Sequence, residues 1–137
     1  MVEEYTYLYV EDDPLSREAL SIILTRIMGI KRLFVFEDST DFMRRVKALP
    51  TIPDLIMLDI HMRPHNGFEM LDMLRQDPDF QHCRIIALTA SVMNEEVSLL
   101  RASGFDGAIG KPIDVGNLPG LIEQILAGEE VWYIAEA

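Results

Sequence analysis

The chain has 137 residues, a formal net charge of −11, 49% hydrophobic and 26% charged residues, and one cysteine. That leaves room for one domain with a core of its own. The acidic balance speaks against direct nucleic-acid binding, which needs a basic footprint, the lone Cys83 excludes an internal disulfide or a Cys-based zinc site, and no apolar run is long enough to span a membrane. Residues 1–4 (MVEE) are acidic where a signal peptide would be basic, so a cytoplasmic protein is expected.

Residues 5–10 (YTYLYV) form a short β-branched and aromatic run, read as a buried strand. Asp13-Pro14 supplies a capping side chain followed by proline at the first helical position. Leu15, Ala19, Ile22, Ile23 and Ile27 then recur at helical spacing until Gly29. Residues 31–36 (KRLFVF) read as a second strand, and Asp38 or Ser39 as the cap of a helix running to about Leu49. Pro50 and Pro53 bracket the turn into a third strand over residues 55–58, followed by a loop over 59–66. The third helix begins near Gly67 and ends before Pro78; residues 84–88 (RIIAL) are the fourth strand. Asn94 is the expected cap of a helix to about Ser103, with Gly104 as its stop, and residues 107–110 (GAIG) are a short fifth strand. Leu118, Leu121, Ile122, Ile125 and Leu126 give the stripe of a last helix, ended by Gly128. Strictly alternating β and α elements predict an α/β domain: a doubly wound, five-stranded parallel sheet flanked by five helices.

In such sheets functional groups collect beyond the C-terminal ends of the strands. There the sequence puts Glu11, Asp12 and Asp13 after strand one, Asp59 after strand three, Thr89 after strand four and Lys111-Pro112 after strand five. Glu11, Asp12 and Asp59 repel one another if ionised and close, and a hard cation relieves that repulsion. Oxygen ligands select Mg²⁺, with Mn²⁺ an alternative, and Mg²⁺ keeps waters and takes one or two carboxylates plus a phosphate oxygen. A carboxylate beside such an ion can attack phosphorus and form an acyl phosphate. Thr89 and Lys111 offer the hydroxyl and ammonium that phosphoryl oxygens require.

The four segments YVEDDP, LIMLDIHM, IIALTAS and GKPID together resemble the response-regulator receiver family of two-component signalling, as found in CheY-like chemotaxis regulators and DivK-like single-domain regulators. The separations of 47 residues from Asp12 to Asp59, 30 to Thr89 and 22 to Lys111 suit that family, and the likeness covers about residues 5–127. The resemblance implies a flavodoxin-like receiver over residues 1–128, with 129–137 a C-terminal tail or linker stub. It implies Asp59 as phosphoacceptor, Asp12 as a direct metal ligand, Glu11 holding the metal through water, and the His61 backbone carbonyl as the remaining protein ligand. Thr89 and Lys111 would bind the phosphoryl group, and Lys111-Pro112 would be cis. The implied partners are a sensor histidine kinase or phosphotransfer protein and a downstream protein target. The face of the fourth helix, fifth strand and fifth helix would change, with a homodimer through it as one option. Such a domain is not an enzyme beyond its self-catalysed phosphoryl transfer and autodephosphorylation. No nucleic acid or membrane partner is expected.

Three differences from the family pattern stand out. Pro64 stands one place late in His61-Met62-Arg63-Pro64, and should hold Arg63 extended. Ala108 takes the place of the usual Tyr or Phe, three residues before the lysine. His61 and Ser91 occupy the two variable positions flanking the site. Two other functions compete. A phosphatase or phosphotransferase resembling the haloacid dehalogenase family would carry a second Asp where His61 stands, and a degenerate receiver that only binds partners would not need Asp59, Thr89 and Lys111 intact. His61 and His65 are four apart, but Pro64 between them rules out helical presentation of a transition-metal pair. The tail EEVWYIAEA carries the only tryptophan, Trp132, beside Tyr133; both are expected to pack on their own domain or on a second copy.

Overall fold

The structure, a computed structural model, describes residues 2–90 and 94–134. Strands β1 (Thr6–Val10), β2 (Arg32–Phe36), β3 (Leu55–Asp59), β4 (Arg84–Thr89), β5 (Gly107–Gly110) and β6 (Val131–Tyr133) form one sheet in the order β2-β1-β3-β4-β5-β6. Every pairing is parallel. Helices α1 (Pro14–Ile22), α2 (Phe42–Lys47), α3 (Gly67–Arg75), α4 (Asn94–Ser103) and α5 (Leu118–Leu126) supply the crossovers.

Strand side chains alternate between two faces, so the apolar runs feed two separate cores. Leu8, Val10, Ile56, Leu58, Ile85, Ala87 and Ala108 pack with Phe42 of α2, Met70, Leu71 and Leu74 of α3 and Leu100 of α4. Tyr7, Tyr9, Leu55, Met57, Ile86, Leu88 and Ile109 pack with Leu20 of α1 and Leu118, Ile122 and Ile125 of α5. With helices on both faces, all five residues of β1 and of β3 are buried.

Several local readings hold. The Asp13 side chain accepts the Ser16 N–H, and Pro14 opens α1. Helix α3 starts at Gly67 as expected, and there the structure adds a reciprocal capping box of Asn66 and Glu69, which fixes where the loop after β3 ends. Gly29, Gly104 and Gly128 take φ of 75°, 104° and 99°, the left-handed conformation that stops a helix.

Three details differ. The first helix does not stay α-helical to its stop: Ile23–Ile27 continue it as a π-helical turn. Neither Asp38 nor Ser39 caps α2, which starts later, after Asp41 in a left-handed conformation (φ 49°, ψ 39°). Asp38 instead accepts the Thr40 N–H and a guanidinium N–H of Arg45. Buried Ser39 accepts the His65 N–H and donates its hydroxyl to the His65 carbonyl, both at 2.8 Å, which pins the loop after β3 from across the domain. Finally, the sheet has six strands rather than five. Gly128 turns the chain back after α5, and Val131–Tyr133 lie along β5 with Ala108 opposite Trp132. Gly107 permits this approach, because a Cβ there would sit 2.2 Å from the Val131 carbonyl oxygen. Trp132 packs against the α2–α3–α4 core, and the Arg101 guanidinium of α4 stands 4.7 Å from its ring centroid. The tail therefore packs on its own domain through residues 131–134, and β6 covers the edge of β5 from Gly107 to Ile109.

Candidate functional site

The C-terminal ends of β1, β3, β4 and β5 meet at one rim. Glu11 follows β1, and its N–H donates to the Phe36 carbonyl of β2, continuing the ladder one residue past the strand. It is wholly buried, whereas Asp12 beside it is exposed. Asp59 ends β3 and is 6% exposed. One carboxylate oxygen from each of Glu11, Asp12 and Asp59 lies within 4.8 Å of the others, the only such group of three among the described residues.

Lys111 enters from the end of β5. Its backbone N–H donates to the Thr89 carbonyl, and Lys111-Pro112 is cis, as is Arg63-Pro64. Its ammonium lies 2.6 Å from Glu11 Oε1 and 3.6 Å from Asp59 Oδ1. The Glu11 carboxylate also accepts the Tyr9 hydroxyl at 3.1 Å and the Asp13 N–H at 3.2 Å. The buried acid is thus fully partnered, which makes its charge tolerable.

The electrostatics of the pair follow. Burial pushes Asp59 up to about 7, and its contact with Glu11 pushes the same way, against a smaller opposing pull from Lys111 and the His61 N–H. Burial would raise Glu11 too, but hydrogen bonding with Asp59 and Lys111 outweighs it and holds Glu11 below its ordinary value. Burial and the crowding of the two carboxyls thus favour the protonated form of Asp59 and the ionised form of Glu11. Three oxygen donors of this kind fit a hard divalent cation, whose charge would take that proton's place.

Thr89, wholly buried at the end of β4, donates its hydroxyl to Glu96 Oε1 of α4 at 2.9 Å. His61 Nε2 lies 3.4 Å from the same oxygen, and the His61 N–H donates to Asp59 Oδ1 at 3.4 Å. A cleft of about 530 Å³, lined by Asp12, Ile60, His61, Met62, Arg63, Asn66 and Phe68, opens beside the carboxylates. His61 and His65 are not brought together as a pair: each faces its own glutamate, Glu96 and Glu69. Ser91, the other flanking position, lies outside the described residues. Sequence reasoning missed Glu96 and Tyr9. Glu96 reads as one of two acidic residues in a helix's first turn, and Tyr9 as a core aromatic; neither pattern reveals that its polar atom turns toward this rim.

A family model for the response regulator receiver domain matches residues 7–123. The chain belongs to that family. Receiver domains are not classical enzymes; the phosphoryl transfer they undergo is self-catalysed. Among curated relatives, the response regulator Rre1 of Synechocystis is 29% identical over 95% of this chain and 55% of its own length. The polar-differentiation response regulator DivK of Brucella ovis is 37% identical over 53% of this chain and 57% of its own. The chain thus spans about half the length of the curated relatives it matches. Among solved structures, the receiver domain of a signal transduction histidine kinase from Syntrophus aciditrophicus is 27% identical, with a TM-score of 0.78 over 90% of this chain and 91% of that one. The receiver domain of the sensor histidine kinase PA1611 from Pseudomonas aeruginosa, solved with a magnesium ion in its active-site cleft, shares the fold at 20% identity and a TM-score of 0.78, covering 90% and 98% of the two chains. Among the described residues no helix is long and apolar enough to cross a membrane.

Proposed function

We propose that this domain accepts a phosphoryl group on Asp59, with Mg²⁺ bound, from a histidine kinase or phosphotransfer protein, and that the loaded site alters a protein-binding surface. The observation that carries this reading is the convergence of three carboxylate oxygens within 4.8 Å of one another, with the Lys111 ammonium 3.6 Å from Asp59. The magnesium in the cleft of the Pseudomonas receiver and the histidine-kinase origin of the Syntrophus one support it by analogy.

Asp12, Asp59 and the His61 carbonyl would hold the ion, with Glu11 acting through water. A bound Mg²⁺ supplies positive charge that keeps Asp59 ionised and neutralises phosphoryl oxygens. An Asp59 carboxylate oxygen then attacks phosphorus. The new O–P bond replaces the bond to the donor's leaving group, an imidazole nitrogen or an acyl oxygen, which departs with the electron pair. Lys111 leaves Glu11 for the phosphoryl oxygens, and Thr89 turns its hydroxyl toward them. The responding surface is built from α4, α5 and the β5–β6 edge between them.

Incubation with acetyl phosphate and Mg²⁺ tests the proposal. One phosphoryl group should appear by intact mass in the wild type and none in Asp59→Asn. Unchanged wild-type mass, beside a competent control receiver, would refute it.

A further inference from the structure

His61, Thr89 and Glu96 come from three different elements, yet converge on a single atom, Glu96 Oε1. Thr89 reaches it from the end of β4 at 2.9 Å and His61 from the loop after β3 at 3.4 Å. The Glu96 side chain is only 21% exposed, and Thr89 is wholly buried. Glu96 sits in the first turn of α4, where the helix dipole favours a carboxylate. A hydroxyl has one proton to give, and here Thr89 gives it to Glu96. Three phosphoryl oxygens arriving on Asp59 need donors, and they compete for that same proton.

We infer that Glu96 is a positioning residue, which holds the Thr89 hydroxyl and the His61 imidazole in the resting arrangement and must be released when the site is loaded. The inference rests on Asp59 being the phosphoryl site and adds a regulator of that site which lies on α4. Release would free the first turn of α4. The same helix carries Arg101 against Trp132 of β6, so a shift of α4 has a route to the sheet edge.

The test is the binding of beryllofluoride, a phosphoryl mimic, with Mg²⁺, measured by titration calorimetry on the wild type, Glu96→Ala, Glu96→Gln, Thr89→Ala and the Thr89→Ala, Glu96→Ala double variant. Removing a charged hydrogen-bond competitor should tighten binding about five- to tenfold in Glu96→Ala. Glu96→Gln, which keeps an acceptor but loses the charge, should gain less. In the Thr89→Ala background the Glu96→Ala effect should shrink to less than about twofold, because the bond it breaks is already gone. Unchanged or weaker binding in Glu96→Ala overturns the inference, as does an equal gain with Thr89 absent, which would make Glu96 a mere charge. Should the wild type itself bind no beryllofluoride, the receiver reading fails, and this inference with it.

Discussion

The Lys111 ammonium stands 2.6 Å from Glu11 Oε1, an ion pair between residues 100 positions apart in the chain. Glu11 is wholly buried and Lys111 retains 20% exposure, so the pair is enclosed on the acid's side and open on the amine's. An enclosed carboxylate left without its cation is costly. Lys111→Met should therefore destabilise the metal-free protein by about 3 kcal/mol in urea unfolding, and saturating Mg²⁺ should recover part of the loss by lending another positive charge. A loss of under about 0.5 kcal/mol, the ordinary range for surface changes, would mean that Glu11 has other support.

Asp59 gives the metal-free protein a distinctive pH dependence. Its native value is pushed up to about 7 by burial and by Glu11, well above the ordinary aspartate value of 3.8. Between those values the native state binds more protons than the unfolded chain, so stability should fall as pH rises from about 4 to about 7 and then level off. Asp59→Asn should flatten this contribution and raise stability at pH 8 by about 2 kcal/mol. Urea midpoints at several pH values with chelator present check both expectations; a slope that survives in Asp59→Asn would assign it to another group.

The sixth strand depends on close approach at Gly107. Because a Cβ there would meet the Val131 carbonyl oxygen at 2.2 Å, Gly107→Ala should push β6 off the sheet at a cost of about 2 kcal/mol. Trp132 is the only tryptophan, so the emission of the folded protein should move to the red as the ring loses its cover. Emission identical to wild type would mean that the strands separate without disturbing Trp132.

Trp132 and Tyr133 bind the tail to two helices, through Arg101 of α4 and through Asn117, which donates to the Tyr133 hydroxyl at 2.8 Å. The double variant Trp132→Ala, Tyr133→Ala should lose about 2–3 kcal/mol of stability, a partly buried aromatic contributing less than a core one. Its molecular mass by light scattering should equal that of the wild type, since these contacts lie within one chain. A fall in mass would place the two rings at an interface between copies.

At the far end of the sheet, Asp106 accepts the Ile85 N–H at 2.8 Å and pairs with Arg75 at 2.7 Å and Arg84 at 3.2 Å. Asp106→Ala leaves an N–H and two guanidinium groups without this partner and should cost about 3 kcal/mol by urea unfolding. Phosphoryl acceptance at the opposite rim should be unaffected when measured well below the midpoint.

Much of the fold was legible because its signals are local. Apolar runs such as TYLYV and LIMLD are too short for helices and too continuous for half-exposed strands, so they declare buried parallel strands. The cap at Asp13 and the stops at Gly104 and Gly128 depend on a few neighbouring residues, and they stand where their chemistry predicts. Asp38 and Ser39 misled for the opposite reason. Either side chain suits a helix cap, but a buried hydroxyl is drawn to whatever unpaired backbone lies near it, and for Ser39 that is His65, 26 positions away.

The chain order of acids, hydroxyl and amine, read with the strand pattern, determined by itself that Glu11, Asp12, Asp59, Thr89 and Lys111 belong to one rim, because parallel strands with right-handed crossovers bring their C-terminal ends together. Only the tertiary structure decided how those groups are partnered. That Lys111 rests on Glu11, that Thr89 gives its proton to Glu96, and that VWY adds a sixth strand beside Gly107 are contacts across 100, 7 and 24 positions. Such contacts are selected by distance and burial in the folded state, and no local pattern of residues encodes them.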